Sequence, residues 1–343
     1  MTITIDRMFT DPTLYFHSFD GDHARFVDLS RDEYRQSIFF DRRIQRGGDA
    51  IYRVPVDVLM EASRSAPLPD GPVNFIHHVA QCGSTLLSRA LDRSAGALAI
   101  REPFALRQLG VEAGAAGGDL GDWQNRLNLA LMLLAKRFEP GPVVIKGNVP
   151  TTMIAPAIEQ IMPKQAGILL YFPLDDYLAA VLRTPQHGEW VRSITDELRI
   201  GQNPLVGGVE ELSIPQRAAA LWALMVRRFD LLLAANPALR SLDANQLFDD
   251  PRATIAAGSE LFGLGMSDAD VMEQVEGGLF TRYAKNPDVP YEPGQRLARR
   301  EQTMRDYPEA IAEARAWVAE RRREFGLPDS LDRPLVGDSP ALL

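Results

Sequence analysis

The stretch from Asn74 to Asp92, NFIHHVAQCGSTLLSRALD, restricts what this chain can fold into more than any other. It opens on an apolar run, Phe75 and Ile76 then Val79 and Ala80, consistent with a short buried strand. The middle, Gln81-Cys82-Gly83-Ser84-Thr85, is small and polar around one glycine. Beyond it Leu86, Leu87, Ala90 and Leu91 recur at helical spacing, with Ser88, Arg89 and Asp92 facing elsewhere. Strand, tight turn and helix form the layout of an anion-binding loop. The turn aims backbone N–H groups and the positive end of a helix dipole at one point. Gly83 permits close backbone approach, and the Ser84 and Thr85 hydroxyls can donate to phosphate oxygens. An ordinary strand–turn–helix corner that binds nothing uses the same residue types, since short glycine motifs often match by chance. Both readings stand at this point.

The loop departs from the ATP-binding pattern G-x-x-x-x-G-K-S/T. In that register Gly83 and Thr85 fit, but His78 stands at the first glycine and Ser84 at the lysine. A kinase or ATPase has to neutralise a multiply charged β/γ-phosphate, usually with Mg²⁺. A loop that keeps the N–H cradle and drops the lysine suits a group with less charge, and a phosphosulfate is such a group.

The net charge of −9 over 343 residues argues against general nucleic-acid binding while leaving room for a local basic pocket. The single cysteine, Cys82, excludes an intrachain disulfide and fits a reducing compartment. MTITIDRMFTDP lacks a basic segment followed by an apolar one, so no secretory signal is expected. No uncharged apolar run reaches membrane-spanning length, and the expected location is the cytoplasm. The five histidines and one cysteine show no metal-ligand spacing, so no metal is expected.

Along the chain, turn signals at Asp11-Pro12 and Asp20-Gly21 separate short aromatic runs. A helix is expected over Arg31 to Arg46, and Val54-Pro55-Val56-Asp57 is expected to start another through Leu59 and Met60. Short apolar strands are expected near 75, 98, 143, 169 and 240, with helices between them. Gly110 to Gly121 reads as a surface loop, Phe280 to Arg300 as an irregular basic segment, and 327–343 as a loose tail. Strands alternating with helices argue a parallel sheet with crossover helices, which puts ligands beyond the carboxyl ends of the strands. Gln81 to Thr85, Glu102, Lys146 and the segment after Phe172 all fall at such ends.

Taken in order, the motifs resemble the bacterial branch of the sulfotransferase family, which uses 3′-phosphoadenosine 5′-phosphosulfate on a P-loop-like fold. HVAQCGSTLLSRALD is similar to that family's G-x-P-R-S-G-S/T-T-x-L loop; REPFAL, VVIKGNVP and ILLYFPLDDYLAAVLR then follow in the family's order. DDPRATIAAGSELFGLG and FTRYAKN look like its closing segments, so the resemblance covers roughly residues 70 to 300. It implies a three-layer α/β fold with a central parallel sheet flanked by helices over 71–326, an N-terminal mixed extension (1–70) packed on that core, and a C-terminal tail. It further implies transfer of a sulfuryl group to a hydroxyl or amine of a small molecule, without metal, nucleic acid or membrane partner. Gln81, Cys82, Gly83, Ser84, Thr85 and Leu86 would hold the phosphosulfate, Glu102 would be the general base, and Lys146 would neutralise the transferring or leaving group.

The sequence departs from the family at three places. Gln81 stands where a lysine or arginine is usual. The arginine and serine that usually bind the 3′-phosphate fall on Phe172 and Ala180. Each such charge-assisted hydrogen bond is worth about 1.5–3 kcal/mol, so Arg183, Arg282 and Lys285 (with Arg192 as a further candidate) are the basic residues expected to take over. A non-catalytic nucleotide-binding protein is the alternative. A kinase with Asp175 or Asp176 on Mg²⁺ is the third reading. For Glu102, an N-cap-like carboxylate or pairing with Arg101 or Arg107 is the purely structural role. Trp123, Trp190 and Trp222 are core or acceptor-pocket candidates, with Trp190 the best placed of them.

Overall fold

A computed structural model describes residues 4–67, 71–93, 96–115, 121–208 and 211–343. Near the N-terminus, β1 (Leu14–Asp20) and β2 (His23–Asp28) pair as an antiparallel hairpin, and β3 (Ile51–Pro55) adds to β2. The hairpin turns at the Asp20-Gly21 signal, where Gly21 takes φ +60°. The principal sheet consists of β4 (Val73–His78), β5 (Leu98–Arg101), β6 (Val143–Lys146), β7 (Gly167–Tyr171) and β8 (Leu239–Asp243). All neighbours are parallel, in the order β5-β6-β4-β7-β8. These strands are buried almost throughout because both faces are covered, as an all-parallel sheet requires.

Side chains alternate between two cores. Phe75, Leu98, Ile100 and Ile145 pack with Phe16, Phe19 and Phe26 of the N-terminal hairpin and with Leu127, Leu131 and Leu134 of the helix Trp123–Leu134. Ile76, Val144, Ile168 and Leu170 pack against the helices Ser84–Ala90, Ile214–Ala235 and Pro251–Phe262. The expected parallel sheet between two layers is therefore present. Strand order reverses at β4, with β6 on one side and β7 on the other, and the crevice beyond the carboxyl end of such a strand is where α/β sheets bind ligands.

Four expectations are corrected. The helix expected over 31–46 spans only Arg31–Gln36. The buried Arg101 guanidinium donates to the Ser37 and Tyr34 carbonyls at 2.7 and 2.9 Å, taking acceptors that further helical turns would need. The first half of the glycine-rich stretch read as a loop belongs to the helix Phe104–Ala115, while 116–120 lie outside the described residues. Gly110 serves close packing there: a Cβ would sit 2.3 Å from the Pro150 carbonyl oxygen. The segment read as irregular contains β9 (Arg282–Tyr283) and β10 (Asn286–Pro290), then the helix Pro293–Asp306. The tail is docked. Its Leu335 N–H donates to Ser241 O (2.7 Å) and Ser241 N–H to Arg333 O (3.0 Å), capping the open edge of β8, with Leu331 and Leu342 buried. Among the described residues no helix is long and apolar enough to cross a membrane.

Candidate functional site

The loop after β4 is held in left-handed backbone at two positions, one a glycine and one not. Gln81 takes φ +58° and Gly83 φ +82°. At Gly83 a Cβ would lie 2.9 Å from Phe248 Cζ and 3.3 Å from Leu247 Cδ2, so both conformation and space call for glycine. The helix begins at Ser84, and the Leu87 N–H closes its first turn on Gly83 O at 3.1 Å. Thr85 is 3% exposed, and its Oγ1 has no hydrogen-bond partner among the described residues. A buried hydroxyl without a partner costs free energy unless something else satisfies it. Cys82 is also buried, and burial pushes its thiol up to about 12, so it stays protonated and is no nucleophile.

His78 supports this loop. Its Nε2 lies 2.9 Å from Gly147 O, and since a carbonyl only accepts, Nε2 carries the proton and Nδ1 is bare. Burial, reinforced by Lys146, holds the imidazole well below its usual range, which keeps it neutral.

Glu102 and Lys146 meet because β5 and β6 are adjacent and in register, with Arg101 opposite Lys146. Glu102 is the next residue. It takes φ +57°, its N–H donates to Lys146 O at 2.7 Å, and its Oε1 accepts from Lys146 Nζ. The lysine side chain is 1% exposed and the glutamate 18%. Burial lowers the Lys146 ammonium from its usual value while the Glu102 carboxylate opposes that shift. Neither structural partner expected for Glu102 is used: Arg101 pairs with Asp92 and Arg107 with Glu197, each at 2.6 Å.

Loop and ion pair open onto one cavity of about 510 Å³ at the carboxyl edge of the sheet. Gln81, Cys82, Gly83, Ser84, Thr85, Leu86, Glu102, Lys146, Arg183, Arg282 and Lys285 all line it. Among its lining residues nine lysines and arginines face three carboxylates, a cationic excess in a chain of net charge −9. Lys285, on the turn between β9 and β10, donates to Gln81 Oε1 at 3.3 Å, so a cation arrives from a distant segment at the position where the loop itself carries glutamine. Arg183 Nε donates to the neutral His187 Nε2 at 3.0 Å. His187 is held down to about 4 by burial and by Arg183 and Lys285. Phe172 and Ala180 form part of the wall, and Trp190 lies on it as expected.

Other candidates fall elsewhere. Arg192 pairs with Glu189 at 3.7 Å and does not line the cavity. Trp123 and Trp222 are core residues whose indole N–H groups donate to Leu109 O and Phe172 O. Asp175 pairs with Arg315, and Asp176 with Arg300 and Asn245, so both carboxylates proposed for a metal are engaged. Phe39, Asp41, Arg43, Arg107 and Tyr291 were not anticipated, nor were Arg296, Arg299 and Arg300. The last three had a signal: spacing of i, i+3 and i+4 puts them on one face of the helix Pro293–Asp306. The first group had none, because only tertiary packing brings those residues to the sheet edge.

Fold and site together define an α/β protein with a cationic cavity at a strand-order reversal. No known family model matches the chain, and no curated protein sequence does. Among solved structures, the chain is similar to the sulfotransferase domain from the curacin biosynthetic pathway, at 12% identity over 76% of this chain and 99% of that one, with a TM-score of 0.39. It is similar to a sulfotransferase from Alicyclobacillus acidocaldarius at 13% identity, over 74% and 99% of the two chains, TM-score 0.36. A sulfotransferase from Mycobacterium tuberculosis H37Rv aligns at 14% identity over 70% and 80%, TM-score 0.40. Likeness at this level does not extend to the chemistry of the site.

Proposed function

We propose that this chain transfers a sulfuryl group from 3′-phosphoadenosine 5′-phosphosulfate to a hydroxyl or amine of a small molecule. The observation that carries the reading is the cavity itself: a loop with an unsatisfied buried hydroxyl, a Glu102–Lys146 pair and a surplus of cations converge at one sheet edge. Such a lining fits a ligand with several separated negative charges. When bound, the phosphosulfate would supply the sulfuryl group. The N–H groups of the Gly83–Leu86 turn and Thr85 Oγ1 would hold its 5′ end, Lys285 would offset charge beside Gln81, and Arg183 and Arg282 would take the 3′-phosphate.

Glu102 would accept the proton as the acceptor O–H or N–H bond breaks and the new bond to sulfur forms. The old sulfur–oxygen bond then releases its electron pair to the departing 3′,5′-bisphosphate. Once Glu102 is protonated, buried Lys146 is left uncompensated, which favours negative charge developing nearby. Trp190 would face the acceptor. The test is transfer from ³⁵S-labelled donor to a mixture of hydroxylated and amino compounds, with products separated by chromatography. Labelled product that disappears in Glu102→Ala supports the assignment, and near-normal turnover in that variant removes Glu102 as base. A non-catalytic nucleotide-binding role is the second reading, favoured by the apolar wall at Phe172 and Ala180. It predicts bisphosphate binding without labelled product.

A further inference from the structure

The transferase reading leaves several charged groups of the cavity without a task, and Arg43 is the one beside Glu102. Arg43 comes from the N-terminal segment, outside the stretch with sulfotransferase-like motifs, yet its Nη2 lies 4.0 Å from Glu102 Oε2. Because Glu102 Oε1 accepts from Lys146, the carboxylate sits between cations supplied by two separate parts of the chain. The Arg43 side chain is 59% exposed, and an arginine that exposed ordinarily samples many rotamers. Here it is fixed twice. Its Nε donates to both Asp41 oxygens at 2.9 and 3.1 Å and its Nη2 to Asp41 Oδ2 at 2.5 Å. Its guanidinium carbon also stands 3.8 Å from the Phe39 ring centroid. Asp41 is anchored in turn, its carbonyl contacting His17 Nε2 at 3.2 Å.

We propose that Arg43 is a positioning residue for Glu102, keeping Oε2 oriented from one side while Lys146 holds Oε1 from the other. The proposal rests on the transferase reading above, and it makes the N-terminal segment part of the reaction centre rather than a support for it. The charged groups facing Glu102 are Lys146 from β6 and Arg43 from the segment before β3. Asp41 offsets part of the Arg43 charge, and Arg107 on the helix Phe104–Ala115 is occupied by Glu197.

The test treats the whole chain with a water-soluble carbodiimide and glycine ethyl ester at fixed pH, and follows Glu102 labelling by peptide mass spectrometry. The carboxyl oxygen adds to the carbodiimide and glycine ethyl ester then displaces the urea, so a guanidinium held beside Oε2 slows labelling by repelling the cationic reagent. Arg43→Met should label about threefold faster than wild type, while Arg43→Lys stays near wild type. Both should unfold in urea at the wild-type midpoint, which reports intact folding. Equal labelling of Arg43→Met and wild type overturns the proposal. So does Arg43→Lys labelling as fast as Arg43→Met, which would mark opened access rather than lost charge. Wild-type protein that fails to bind the bisphosphate overturns the transferase reading itself and removes the reaction that Arg43 would serve.

Discussion

Gly83→Ala is the substitution for which the structure fixes a magnitude most directly. With φ at +82°, an L side chain at this position incurs a backbone cost of about 1–2 kcal/mol. The new Cβ would also stand 2.9 Å from Phe248 Cζ. That ring is not free to swing away, because the Arg296 guanidinium lies 4.7 Å from its centroid and Arg296 is tied to Asn245 at 2.5 Å. Relief therefore displaces a cavity-lining arginine, adding about 1–3 kcal/mol of overpacking. The total is about 2–5 kcal/mol. Gly21→Ala is the matched control: φ is +60°, nothing lies within 4 Å of the added Cβ, and only the backbone cost applies. Urea unfolding followed by tryptophan fluorescence gives both stabilities, and calorimetry gives both affinities for adenosine 3′,5′-bisphosphate. Gly83→Ala should lose more stability than Gly21→Ala and also lose ligand affinity, while the control keeps it. Equal stability losses with unchanged affinity in both would refute the argument that this loop is shaped for an anion.

Thr85→Val removes a buried hydroxyl that has no partner among the described residues, so stability should hold or rise slightly, whereas bisphosphate affinity should fall by about tenfold on calorimetric titration. Arg101→Met leaves Asp92 buried and unpaired and strips the Ser37 and Tyr34 carbonyls of their donor, a loss of about 3–5 kcal/mol by denaturant unfolding. Lys136 is buried against Phe26 with its ammonium donating to Leu14 O, and burial lowers its pKa from 10.5 to about 7. The unfolded chain then holds more protons at this site than the folded chain between those two values, so the site's contribution to stability rises with pH from about 7 upward. Unfolding curves between about pH 7 and 9, below the range where tyrosines ionise, should show that rise in wild type and a flatter profile in Lys136→Met. Parallel profiles would contradict the assignment.

Much of the sheet was legible because an all-parallel sheet buries both faces, which favours apolar runs such as Gly167–Tyr171, Leu98–Ile100 and Val143–Ile145. The loop was legible because Gly83 falls between a strand and a helix of clear periodicity. The placement of Glu102 and Lys146 followed from the rule that ligands gather at strand ends. What escaped notice depended on partners far away in sequence. Arg101 cuts short the helix at Gln36, Gly110 lets a helix approach Pro150 where glycine content suggested a loop, and the β8 edge recruits the tail. Arg43 escaped for the same reason, since its distance from Glu102 is set by how the N-terminal segment packs. The left-handed backbone at Gln81 and Glu102 had no signal either, since neither residue type favours it.

The central claim is that the cavity at the end of β4 holds a doubly phosphorylated nucleotide. Isothermal calorimetry of the whole chain with adenosine 3′,5′-bisphosphate, run beside adenosine 5′-phosphate, tests it most directly. The bisphosphate should bind at micromolar strength or tighter and the monophosphate markedly more weakly, with the difference shrinking in Arg183→Met. Silence at millimolar bisphosphate, or equal affinity for the two ligands, would contradict it.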